Sequence, residues 1–206
     1  MIKLYGIRMS NYYSLTKALL IEKGLDFEEV KAPPSQDEDY LVRSPMGKMP
    51  AIEVDGKFLS ESLAIATYLE KLAPSPRLIP EDPFEAGKTL ELICHMKLDV
   101  ELVARRCLPE AFFNQPVSEE TKASTKSDLQ KGIKAVSRLF IGEPYALGET
   151  LTLADFHTSY CLPLASGIAQ AMFNMDLLAD QPRMQAVLAK MAEHPSVHRV
   201  SDEQKQ

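Results

Sequence analysis

Two short stretches of this chain carry side chains whose types and spacing suit holding a small charged ligand: Gly47-Lys48-Met49-Pro50 and Glu61-Ser62. Pro50 stands directly ahead of the apolar run Ala51–Val54. A proline there removes an amide donor and fixes φ, an expensive choice unless the backbone has a task. The Met49-Pro50 bond is either trans, an ordinary proline at a strand entrance, or cis. The cis form would turn the chain sharply and leave the Met49 amide and carbonyl facing outward, where a peptide-like ligand can pair as an added strand. Glu61-Ser62 opens a helical pattern, and the first amides of a helix lack intrahelical partners and form its positive end. A serine hydroxyl and amide at that place can hold a carboxylate, and Glu61 can accept from an ammonium group. Lys48 could hold a second carboxylate at the far end of such a ligand. The alternative is plain capping, with Ser60 or Ser62 as N-cap and Glu61 as an acid favoured by the helix dipole.

The elements that must position these residues follow from hydrophobic periodicity. Ile2–Tyr5 reads as a strand, followed by a polar loop through Tyr13. Leu15, Ala18, Leu19 and Glu22 then keep helical spacing, and Gly24 is placed to end the helix. Asp26–Lys31 reads as a second strand, and a polar, proline-bounded segment holds at most a short helix near Asp37–Arg43. Ala51–Val54 and Lys57–Leu59 flank Asp55-Gly56, a strong hairpin signal because both turn residues must accept positive φ. Ile65, Leu69 and Leu72 mark one face of a further helix. The pattern is βαβ, a loop, then ββα.

Pro74, Pro76, Pro80 and Pro83 mark the stretch 73–83 as a linker. Beyond it the chain reads as helical throughout. Leu92, Met96, Val100, Val103 and Cys107 form one stripe at spacings of three and four; Leu129, Ile133, Val136 and Phe140 form another, and Met184, Val187, Leu188 and Met191 a third. The expected organisation is an α/β domain over 1–76 followed by an all-helical domain over 84–206. Within the second, Thr152 and Asp155 have capping-box spacing, read here as a structural helix start.

Composition narrows the function classes. The 206 residues carry a formal net charge of −6, against a nucleic-acid partner, which needs a basic surface. No apolar run approaches the ~20 residues that cross a bilayer, and the N-terminus, expected to be that of the native chain, lacks a secretory signal. The three cysteines, Cys94, Cys107 and Cys161, are far apart and odd in number, which suits a reducing compartment, the cytoplasm by default. Without a Cys-x-x-Cys pair in the first domain, thioredoxin-like disulfide exchange through protein thiols is not expected. His95, His157, His194 and His198 have no metal-ligand spacing, since Pro195 interrupts the last pair, and no metal is expected.

In this order of elements the chain resembles the glutathione transferase family over nearly its whole length. "GKMPAIEVDGKFLSESLAIATYLE" is similar to the family's glutathione-site core, "LTLADF" to its capping-box motif in the helical domain, and "HPSV" to a frequent late motif. The resemblance implies a thioredoxin-like N-terminal domain, an α-helical C-terminal domain, a homodimer, and glutathione as co-substrate. By position it implies that Met49, with Pro50 cis, pairs its backbone with the cysteinyl unit, that Glu61 and Ser62 hold the γ-glutamyl end, and that Lys48 approaches the glycine end. The implied activity is conjugation of glutathione to small apolar electrophiles, as in detoxification. The alternatives are a non-catalytic binding or regulatory protein resembling stringent starvation protein A, or a glutathione-dependent peroxidase or disulfide reductase.

A free thiol has a pKa of about 8.5, so a transferase needs a donor that stabilises the thiolate. The resemblance puts Ser10 in that position, in the loop before the first helix. It also leaves Tyr5, at the end of the first strand, as the catalytic hydroxyl of tyrosine-type members. Asn11-Tyr12-Tyr13 departs from the usual serine-type run, and Asn11 and Tyr12 remain open as donors.

Overall fold

β1 (Ile2–Gly6) is flanked by β2 (Phe27–Lys31) on one side and β3 (Ala51–Val54) on the other, with β4 (Lys57–Ser60) at the edge beyond β3. The computed structural model describes residues 1–205. β1 and β2 run parallel, joined over the sheet by α1 (Asn11–Glu22), because a parallel pair needs a long crossover. β3 is antiparallel to β1 and to β4. The β3–β4 turn is Asp55-Gly56, both at positive φ (49° and 75°), as the hairpin signal requires. A short α2 (Glu38–Leu41) precedes β3, and α3 (Ser62–Leu72) follows β4. α1 and α3 pack together, and Leu4, Leu15, Leu19, Ile52, Ile65 and Leu69 are buried in the resulting core.

The helical part begins with α4 (Pro83–Cys94), whose first turn is capped by Asp82 accepting from the Phe84 and Glu85 amides at 2.9 and 3.0 Å. The helix then changes winding: a π-helical stretch at His95–Glu101, α5 (Leu102–Ala104), a 3-10 turn at Arg105–Cys107, and α6 (Leu108–Phe113). Leu92, Met96 and Val100 stay buried across the change. Periodicity alone predicts one uniform helix here. α7 (Glu119–Leu139) crosses this stretch at Gly132, where an added Cβ would lie 2.0 Å from the Asp99 carbonyl oxygen, so only glycine permits the approach. α8 (Leu153–Phe173) and α9 (Pro182–Ala192) complete this part.

The expected capping box opens α8, with the Thr152 amide and hydroxyl donating to Asp155 at 2.8 and 3.0 Å. Asp155 is fully buried and also accepts from the Ala146 amide at 2.7 Å, so it pins the preceding loop as well as the helix start. Burial pushes its carboxyl above the usual carboxylate value, and these donors pull it back only in part.

α10 (Pro195–Gln204) joins the sheet rather than the helices. The chain divides into two compact units, Met1–Leu78 with the segment from Glu193 onward, and Ile79–Ala192. The sequence expectation ran the helical domain to the C-terminus. The units fall otherwise because α10 packs on α1, where the buried Lys17 ammonium meets Glu29 of β2 at 2.7 Å and Glu203 of α10. Among the described residues no helix is long and apolar enough to cross a membrane.

Candidate active site

Strand register gathers the ligand-type residues at one end of the sheet. Tyr5 lies opposite Ala51, and Ala51 opposite Ser60. The C-terminal end of β1, the start of β3 and the end of β4 therefore stand side by side, about 5 Å from strand to strand. The loop to Ser10 leaves from the first, Lys48-Met49-Pro50 enters the second, and Glu61-Ser62 leaves from the third. Residues from three distant parts of the sequence thus share one rim.

Ser10 is the N-cap of α1, with φ −80° and ψ 123°, and its Oγ accepts from the Tyr13 amide at 3.3 Å. A serine oxygen in that role still holds its own hydrogen, so the cap fixes the oxygen and leaves the O–H free to donate. The positive end of α1 lies at the same point. Gly6 makes the exit from β1: its φ is 155°, and a Cβ there would lie 2.4 Å from the Tyr13 ring.

Tyr5 is engaged elsewhere. Its hydroxyl donates to Glu53 Oε2 at 2.5 Å, its ring meets Phe58 edge-on at 6.1 Å, and the Arg43 guanidinium lies 5.2 Å from the ring centroid. Burial first, and then the Glu53 hydrogen bond, push its pKa up to about 12. Side chains alternate faces along a strand. Leu4 is paired with Glu29, which bonds the α1 residues Tyr13 (2.6 Å) and Lys17, so Tyr5 points to the other face, where it clusters with Ala32, Tyr40 and Ala51. The structure does not bring the two hydroxyl candidates together, and the only proton of the phenol is already given to a carboxylate. Asn11 and Tyr12 are half-buried in the first turn of α1, and both have interaction partners.

The Met49-Pro50 bond is cis, as the resemblance implies, and so are Ser75-Pro76 and Glu143-Pro144. Gly47, at φ 65°, sets the approach to it: a Cβ would stand 2.2 Å from the Ser35 carbonyl oxygen, and the neighbouring Met46 carbonyl accepts from Gln36 at 3.2 Å. Lys48 is exposed, Met49 half-buried and Pro50 buried. The N-cap of α3 is Glu61, not Ser60 or Ser62, and the Glu61 side chain makes no capping bond. Its backbone sits at φ 69° and ψ 115°, a conformation costly for a residue with a Cβ and concentrated at functional sites. Ser62 is the first helical residue and is buried at the rim.

A polar cluster behind the Ser10 loop went unread in the sequence. Glu29 accepts from Tyr13, from Lys17 and from Arg8, the last at 3.2 Å. Burial alone would raise the Glu29 pKa, but the bonds from Lys17 and Tyr13 hold it below the usual carboxylate value. The signal was Lys17 itself, a lysine on a helix whose neighbours Leu15, Ala18 and Leu19 are core residues.

A family model described as "Glutathione S-transferase, N-terminal domain" matches residues 4–77, and one described as "Glutathione S-transferase, C-terminal domain" matches 106–200. A protein of Pseudomonas putida named glutathione S-transferase is 40% identical over 200 residues, covering 97% of this chain and 91% of its own. A rat protein named maleylacetoacetate isomerase is 27% identical over 184 residues, 84% of this chain and 80% of its own. Among solved structures, a glutathione transferase homologue from Sulfitobacter, solved with bound glutathione, superposes with a TM-score of 0.82 at 21% identity, covering 98% of each chain.

Proposed function

The chain belongs to the glutathione S-transferase family, and on that premise we propose that this enzyme conjugates reduced glutathione to small apolar electrophiles, with Ser10 as the thiol-activating donor. The observation that carries the reading is the Ser10 hydroxyl, whose oxygen is held by the Tyr13 amide while its hydrogen remains to be given. Glutathione has two carboxylates and one amine. The rim offers the Met49 backbone for its cysteinyl unit, Glu61 and Ser62 for the γ-glutamyl end, and Lys48 for the glycine carboxylate. With the thiol at the start of α1, the Ser10 O–H donates to sulfur and the helix end adds positive potential, both of which favour the thiolate. The thiolate then attacks the electrophilic carbon, forming a C–S bond as the leaving group departs with its electron pair, or as a proton adds to an activated double bond. Tyr5 stays outside the reaction, holding Glu53. The reading includes the homodimer and cytoplasmic setting that the family implies, the former checked by light scattering on the purified protein.

The test begins with retention on immobilised glutathione and turnover of an aryl halide. A hydrogen bond to a charged partner contributes about 1.5–3 kcal/mol. Ser10→Ala should therefore raise the pKa of the bound thiol, read as thiolate absorbance against pH, and cut turnover about ten- to a hundredfold. Tyr5→Phe should leave the thiol pKa in place. The opposite pattern would move the role to Tyr5. Retention with no turnover of any electrophile or peroxide would mark a binding protein on this fold.

A further inference from the structure

The loop that presents Ser10 is held from behind by the last turn of α10. Arg8 is the centre of the contact. Its carbonyl accepts from Gln204 Nε2 at 2.7 Å and from the Ser14 hydroxyl at 3.3 Å, and its guanidinium donates to the Glu203 carbonyl at 2.9 Å. The same Gln204 amide nitrogen donates to Ser14 Oγ at 2.7 Å, so both of its hydrogens are used. Ser10 is tied into this frame at two main-chain points: its amide donates to the Ile7 carbonyl at 3.1 Å, and its carbonyl accepts from the Ser14 amide at 2.9 Å. Met9, between Arg8 and Ser10, is 84% exposed and adds no packing of its own. Residues 8 to 10 therefore depend on hydrogen bonds for their placement, and several of these come from the end of the chain. The contact lies wholly within the first compact unit.

We infer that Gln204 is a positioning residue for the thiol chemistry, fixing the Arg8 carbonyl and Ser14 hydroxyl so that the Ser10 oxygen stands where the sulfur of glutathione must be met. The inference rests on the role proposed for Ser10. A donor that drifts on a loose loop loses alignment, and hydrogen bonds weaken steeply with angle. Gln204 is itself exposed, and its side-chain amide is engaged by Arg8 and Ser14. Its loss should thus act on thiolate stabilisation and turnover while leaving ligand affinity in place.

Gln204→Glu keeps the size of the side chain but replaces the donor by an acceptor facing two oxygens, and Gln204→Ala removes it. One neutral hydrogen bond corresponds to a factor of about two to ten. Both variants should lower turnover by about that factor and raise the bound-thiol pKa by up to about one unit, with glutathione affinity within about twofold of the parent. Thermal midpoints are measured alongside. The double variants with Ser10→Ala decide the route: if Gln204 acts through Ser10, its replacement changes nothing further in that background. Unchanged turnover and thiol pKa in both single variants would overturn the inference, even if the thermal midpoint drops. The same fractional loss with and without Ser10 would overturn it too. If Ser10→Ala alone leaves the thiol pKa where it was, the reading of Ser10 fails and takes the inference with it. An effect of Ser10→Ala with none of Gln204→Glu or Gln204→Ala removes the inference alone.

Discussion

Replacing Lys17 by methionine should reverse the sign of what Glu29 and Glu203 contribute to the pH dependence of stability. The Lys17 side chain is 2% exposed, and its ammonium is the positive charge between Glu29, at 2.7 Å, and Glu203. Methionine keeps the stem volume, so no cavity forms, but two carboxylates are left facing each other. Removing one partner of a buried pair costs about 3–5 kcal/mol. Here the two acids keep 28% and 24% exposure, and Arg8 and Arg199 still reach them at 3.2 and 2.9 Å. Solvent and these arginines screen the repulsion, which places the loss near ~2–3 kcal/mol at pH 7.5. In a chain of this size that is a drop of about 4–12 °C in thermal midpoint. The sign against pH is the sharper readout. In the parent, burial opposes but the partner bonds prevail, and both Glu29 and Glu203 lie below the ordinary 4.5. Their contribution is complete above that value and is lost as pH falls through the folded pKa values. In Lys17→Met the two acids repel, the folded pKa values rise, and acidification from 7 towards 5 should recover part of the loss. Urea unfolding at pH 7.5 and pH 5 measures both effects. A loss under about 1 kcal/mol at pH 7.5, or a difference between parent and variant that does not shrink at pH 5, would refute the argument.

Asp155→Ala should cost about 2–4 kcal/mol in unfolding free energy, because two buried amides, of Ala146 and Thr152, lose a charged acceptor; relief of the buried carboxylate offsets only part of this, and a loss below about 1 kcal/mol in urea melts would contradict it. His157 is wholly buried, and burial pushes its pKa down to about 3 from 6.5, so the unfolded chain binds the proton first and stability falls as pH drops from 6.5 towards 3. At pH 5 that amounts to ~2 kcal/mol relative to pH 8, which His157→Gln should abolish; an equal loss in the variant would show that another group is responsible. Gly6→Ala should lower the thermal midpoint by several degrees, since its Cβ would lie 2.4 Å from Tyr13 and its backbone at φ 155° is costly; a midpoint unchanged in calorimetry would mean that the ring moves aside freely.

Local rules carried much of this protein in its sequence. Turn chemistry read the Asp55-Gly56 hairpin, apolar spacing read α1, α3 and the stripes of the helical unit, and capping chemistry read Thr152 and Asp155, because each is decided by residues within one turn of each other. Family-specific spelling added the cis Met49-Pro50 bond and the helix opening at Glu61-Ser62. Tertiary structure decided what depends on partners far along the chain. It committed the Tyr5 hydroxyl to Glu53, 48 residues away, and it brought Gln204 to Arg8 across 196 positions. It packed α10 on α1 with Lys17 between acids from two other elements. Nothing in a hydrophobic pattern records which carboxylate a buried lysine or phenol will meet, since any of the chain's acids satisfies the pattern equally well. Spacing likewise marks which residues of 92–107 seek the core, while the π-helical winding at His95–Glu101, where this stretch packs against α7 and α8, is a feature that only the tertiary structure shows.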